Sequence, residues 1–103
     1  MKGKFLLAID QGTSSSRTVI YGHDARAVAS DQQEFPQIYP QPGWVEHDPE
    51  AIWNSVTSVT RGAMQKTGAV AADISAIGIT NQRETTLIWD RETGECVYNA
   101  IVW

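Results

Sequence analysis

Residues 5–21 read FLLAIDQGTSSSRTVIY, and the change of pattern inside this stretch decides the fold. Phe5, Leu6, Leu7, Ala8 and Ile9 form an unbroken apolar run closed by Asp10, Gln11 and Gly12. Such a run predicts a strand buried on both faces. Residues 13–16 are small and polar and predict a turn. Residues 17–21 alternate and predict a second strand, and Gly22, His23 and Asp24 signal the next turn. Residues 27–35, with Val28, Ala29 and Phe35, predict a third strand. The chain therefore opens as a three-stranded meander.

Beyond the meander, residues 36–48 hold Pro36, Pro40, Pro42 and Gly43 and predict an ordered loop, with Trp44 and Val45 pinning it to the body. Asp48 begins the clearest helix. Its carboxylate can cap the first turn, Pro49 suits the first helical position, Glu50 complements the dipole, and Gly68 is a natural stop. Ile52, Trp53, Val56, Val59, Ala63 and Met64 fall on one stripe, so the helix is expected to lie on a sheet with these side chains in the core. Residues 74–80 predict a strand with Ile77 and Ile79 on one face and Ala76 and Gly78 on the other. Residues 85–89 predict another strand, residues 90–94 a turn, and residues 97–103 a return to extended structure. The chain ends on an apolar run, which predicts truncation. There is no internal repeat or low-complexity tract.

The 103 residues suffice for one compact domain, and 42% hydrophobic with 19% charged residues is a globular balance. A net charge of -4 with no basic stripe argues against a nucleic-acid partner. The apolar run after Lys4 is too short for a secretory core or a membrane span, and the single cysteine, Cys96, fits a reducing compartment. The expectation is a cytoplasmic protein without a membrane span. Cys96 is expected to be a half-buried thiol without a catalytic role, and His23 and His47 have no partner at metal-ligand spacing.

The chemistry begins at the turn after the first strand. Phosphate recognition needs close backbone approach, amide and hydroxyl donors, and a carboxylate to hold Mg²⁺ through water. Gly12 permits the approach, residues 13–16 supply hydroxyls, Asp10 supplies the carboxylate and Arg17 a positive charge. No lysine follows the glycine as in the Gly-Lys-Ser/Thr loop, and a strand rather than a helix follows the turn. On strand-and-turn pattern alone, a polar hairpin that merely reverses the chain stands as an equal alternative.

The Asp10-x-Gly12-Thr13 turn, with Ser14, Ser15 and Arg17 behind it, resembles the first phosphate motif of the actin, hexokinase and sugar-kinase superfamily. PGWVEHDP at 42–49, GITNQRETT at 78–86 and YNAIVW at 98–103 are similar to the N-terminal part of the glycerol kinase family, in the same order and across the whole chain. The resemblance implies an α/β, ribonuclease H-like (actin-like ATPase) fold: a mixed sheet with the opening meander and a packed helix. Residues 1–103 are then the N-terminal portion of the first domain, with the C-terminal ATP-binding domain outside them.

The same resemblance implies MgATP and glycerol as ligands. Thr13, Ser14, Ser15 and Arg17 would contact the nucleotide phosphates, with Thr13 also near the transferred group and Asp10 holding Mg²⁺ through water. Arg83 and Glu84 would bind the glycerol hydroxyls and Trp103 would cover its carbon backbone. Adjacent strand residues point to opposite faces, so Arg83 and Glu84 can share a site only if the chain bends there. The catalytic base, an aspartate, would lie beyond residue 103. A homo-oligomer is allowed for the full-length protein. Three other readings stay open: a kinase of another polyol or sugar, a ribonuclease H-like nuclease, and a non-catalytic actin-like nucleotide switch.

Overall fold

A computed structural model describes residues 4–102. Strands β1 (Phe5–Gln11), β2 (Ser15–Tyr21) and β3 (Ala27–Glu34) form the expected antiparallel meander. A short strand β4 (Glu46–His47) precedes helix α1 (Pro49–Thr67), and β5 (Ile74–Thr80) then returns parallel to β1. The main sheet runs β3-β2-β1-β5, and a second sheet pairs β4 with β6 (Ala100–Ile101). A parallel neighbour requires a crossover, and α1 is that crossover.

Both ends of α1 follow from local sequence. The Asp48 carboxylate accepts from the Glu50 amide at 3.0 Å, and Gly68 adopts φ 72° as its amide turns back to the Gln65 carbonyl. The helix lies over β2 and β3. Its buried line is Ser55, Val59 and Ala63, at four-residue spacing. Ala63 meets Leu7 and Ile20, with Phe5, Ile9, Met64 and Ile74 packed around them. Two buried hydroxyl pairs stitch helix to sheet: Ser16 with Ser55 at 2.7 Å, and Thr18 with Thr60 at 3.0 Å.

Several expectations change. Trp53 is 63% exposed and is not core, because the helix turns its Ser55–Val59–Ala63 line to the sheet and leaves Trp53 on the flank. Trp44 is half exposed and does not pin the loop; buried Glu46 and His47 do. β1 is buried on one face only, with Leu7 covered by α1 and Leu6 half exposed. Ile77 and Ile79 share the helix side with their register partners Leu7 and Ile9, yet remain exposed because α1 lies mainly over β2 and β3. Residues 85–103 do not give two regular strands. Residues 85–102 form an irregular ribbon held by bridges Thr86–Ile101 and Trp89–Cys96 around the turn at Asp90, and among these described residues only β6 is regular. Cys96 is exposed rather than half-buried. No helix among the described residues is long and apolar enough to cross a membrane.

The register of α1 predicts opposite outcomes for two large residues. Val59→Ala should cost about 1.5–3 kcal/mol in urea unfolding followed by circular dichroism. Trp53→Ala should stay within about 0.5 kcal/mol of the parent. The reverse ranking would mean that the helix is rotated from the face described.

Candidate functional site

Strand alternation sorts the polar residues of the first hairpin onto two faces. Ser16 and Thr18 point toward α1 and are buried. Ser16 is thus committed to Ser55 and is not a phosphate donor, which corrects the expectation for residues 13–16. Ser15, Arg17 and Asp10 lie on the opposite, open face. Arg17 and Asp10 are register partners, and Arg17 Nη2 stands 3.9 Å from Asp10 Oδ2 with both side chains half exposed. Ser15 Oγ accepts from Gln32 Nε2 at 2.8 Å.

The turn itself is shorter than expected. β1 runs on to Gln11 and β2 starts at Ser15, so only residues 12–14 turn. The Gly12 amide donates to the Ser15 carbonyl at 3.0 Å, and a Cβ on Gly12 would stand only 3.1 Å from that oxygen. Thr13 is half-buried and Ser14 exposed at the tip.

Because β1 and β5 are parallel and Asp10 is the register partner of Thr80, the segment after β5 leaves the sheet beside the residue 12–14 turn. Residues 81–85 do bend there. Glu84 adopts φ 56°, the left-handed region that ordinary side chains avoid at a cost of about 1–2 kcal/mol. Arg83 and Glu84 are both exposed, and among the described residues no hydrogen bond or ion pair occupies either side chain. A strained residue with an unoccupied carboxylate suggests a ligand-facing role. Trp103 lies outside the described residues.

Three residues near these turns were not singled out as site residues by sequence reasoning. His47 is fully buried on β4, edge-on to Phe35 at 4.9 Å between ring centroids. Its Nε2–H donates to Gln37 Oε1 at 2.6 Å, and its Nδ1 accepts from Gln82 Nε2 at 2.8 Å. Those two amides fix a neutral imidazole with the proton on Nε2. Burial holds the His47 pKa below its usual 6.5. His47 and Gln82 carried a sequence signal, as parts of the 42–49 and 78–86 stretches, and Gln37 carried none. Glu46 points the other way on β4, where its carboxylate accepts from the Tyr98 hydroxyl at 2.8 Å and from Asn99 Nδ2 at 3.1 Å. The Tyr98 pKa is raised by that carboxylate.

The described residues contain no group of three or more His, Cys, Asp or Glu side chains that could cage a metal. Asp10 alone, half exposed beside the turn, suits Mg²⁺, which keeps several waters and takes one or two carboxylates together with substrate phosphates. The turn's tight backbone, hydroxyls and nearby guanidinium suit a polyphosphate.

Comparison with known proteins shows the family and the fold. The profile of the FGGY family of carbohydrate kinases, N-terminal domain, matches residues 5–103. A glycerol kinase of Limosilactobacillus reuteri is 62% identical over 100 residues, covering 97% of this chain and 20% of that protein. The crystal structure of Plasmodium falciparum glycerol kinase with ADP is 40% identical, with a TM-score of 0.87 over 96% of this chain and 20% of that one. The crystal structure of gluconate kinase from Lactobacillus acidophilus is 27% identical, with a TM-score of 0.83 over 94% and 19% of the two chains. The chain spans about one fifth of the length of the curated relatives it matches. Its fold is the α/β, actin-like ATPase fold of these kinases.

Two stability measurements probe the site without substrate. Glu84→Gly should raise unfolding stability by about 0.5–1 kcal/mol by releasing the left-handed strain, while Glu84→Ala should give no gain. Equal effects of the two would mean that residue 84 is not strained. For His47, the unfolded chain binds the proton more readily than the folded one. Its contribution is therefore full above about pH 6.5 and is lost as pH falls from there through the lowered folded value. The urea midpoint should drop between about pH 7.5 and about pH 5, and His47→Gln should flatten that part of the profile.

Proposed function

As the chain belongs to the FGGY family of carbohydrate kinases, we propose that it supplies the phosphate hairpin and part of the acceptor site of an ATP-dependent glycerol kinase. Residues 1–103 are then the N-terminal portion of the kinase's first domain. The observation that carries this reading is the parallel register of β1 and β5, which brings the residue 12–14 turn and the residue 81–85 bend to one end of the sheet. Donor and acceptor in a phosphoryl transfer must be held in line and close, and that placement suits it.

In this reading the amides and hydroxyls of Thr13, Ser14 and Ser15, with the Arg17 guanidinium, bind and orient the nucleotide phosphates. Asp10 would hold Mg²⁺, which when bound would supply charge neutralisation on the phosphates. Arg83 donates to glycerol hydroxyl oxygens, the Glu84 carboxylate accepts from two hydroxyls, and the Trp103 indole covers the carbon backbone. A terminal hydroxyl oxygen attacks the γ-phosphorus, the bond to the bridging oxygen breaks, and ADP leaves. The hydroxyl proton goes to an aspartate beyond residue 103. The products are glycerol 3-phosphate and ADP. Asn81, Gln82, Arg83 and Glu84, within the stretch that resembles glycerol kinases, favour glycerol over the pentuloses and hexuloses of related kinases.

Steady-state kinetics on the full-length protein test the assignment. Glu84→Ala should lower kcat/KM for glycerol by roughly ten- to a hundred-fold while leaving the ATP KM nearly unchanged. Arg17→Ala should damage ATP use instead, since a charge-assisted phosphate contact strengthens as charge builds in the transition state. The 103-residue chain alone should release no ADP in a coupled assay. An unchanged glycerol kcat/KM in Glu84→Ala would remove glycerol from the reading.

A further inference from the structure

Beyond the ends of β1 and β5, no hydrogen bond among the described residues joins the residue 12–14 turn directly to residues 81–85. A part-buried side-chain path centred on buried His47 joins them instead. Gln37 Nε2 donates to the Thr13 carbonyl at 3.0 Å, and Gln37 Oε1 accepts from His47 Nε2 at 2.6 Å. On the other side of the ring, Gln82 Nε2 donates to His47 Nδ1 at 2.8 Å and to Thr85 Oγ1 at 2.9 Å. The Thr85 hydroxyl then donates to the Arg83 carbonyl at 3.3 Å. Every link has a fixed direction, set by amides that donate through nitrogen and accept through oxygen.

We infer that His47 is a positioning residue that sets the phosphate turn and the acceptor bend relative to each other through Gln37 and Gln82; what the two turns bind rests on the kinase reading above. Three observations support this beyond the distances. The imidazole is fully buried, so neither water nor a side-chain rotation offers its partners a substitute. Gln82 commits both N–H groups to the path and, among the described residues, leaves Oε1 buried with no partner. An amide that tolerates an orphaned oxygen is held by what its nitrogen does. The path also ends on backbone carbonyls at both turns, so it fixes main-chain placement and leaves the Thr13, Arg83 and Glu84 side chains free for ligands. A plain packing role for His47 would need the burial but neither of the other two features.

Hydrogen exchange measured by mass spectrometry on the full-length protein decides between coupling and packing. Gln37→Ala should speed amide exchange across residues 81–86 several-fold, although Gln37 touches none of them. In a His47→Ala background the same change should add nothing. His47→Gln keeps one donor and one acceptor and should restore slow exchange in both turns, which guards against a simple folding defect. Glycerol kcat/KM should fall roughly ten-fold in Gln37→Ala and in Gln82→Ala, with a combined loss smaller than the product. Unchanged exchange at 81–86 in Gln37→Ala would overturn the inference. So would kinetic losses that multiply. A protein that shows the exchange coupling but phosphorylates no glycerol would retire the kinase reading and leave the positioning role standing.

Discussion

The parallel pairing of β1 with β5 is the constraint on which the rest of the structure depends. Two antiparallel strands can be joined by a tight turn, but a parallel neighbour must be reached by a long crossover, and here the crossover is α1. That requirement explains why the helix lies between the meander and β5. It also explains why two segments seventy positions apart in the chain leave the sheet at the same end. Had β5 paired antiparallel to β1, the bend at Glu84 would stand at the opposite end from Gly12.

The same alternation that builds the sheet divides its chemistry. Within three consecutive residues, Ser15 and Arg17 face the open side and Ser16 is sealed against Ser55. Polar residues on the helix side are tolerated because each finds a partner; Thr18 with Thr60 is the second case. The hairpin is therefore fixed from behind by buried hydroxyls and presents its charged groups in front. At β4 the alternation works again, sending His47 toward the two turns and Glu46 toward Tyr98 and Asn99.

Much of this was legible in the sequence where one local rule decides the outcome. The three strands of the meander, the Asp48 cap, the Gly68 stop and the β5 strand all came from residues within a few positions of each other. The need for a bend at Arg83 and Glu84 followed from strand geometry, and Glu84 φ 56° is that bend. Errors arose where tertiary context decides. Trp53 looked like core because it falls on the apolar stripe of the sequence, but the sheet takes the Ser55–Val59–Ala63 line, which has a serine in it. Residues 85–103 looked like two strands because Ile88, Trp89, Val97 and Tyr98 are apolar, yet a two-stranded ribbon without a sheet beneath it keeps only local pairing. Gln37 and His47 could not be found by spacing at all, since Gln37, His47 and Gln82 meet only after the sheet has formed.

The most direct test of a shared donor–acceptor end is paramagnetic relaxation by Mn²⁺, bound with a non-hydrolysable ATP analogue to the isotopically labelled full-length protein. The account predicts strong broadening of the amides of Gly12, Thr13, Ser14, Arg83 and Glu84, and little at the opposite end of the sheet, where Gly22 and Ala71 lie. Broadening centred on Gly22 and Ala71, or confined to the first turn with Arg83 and Glu84 untouched, would contradict it.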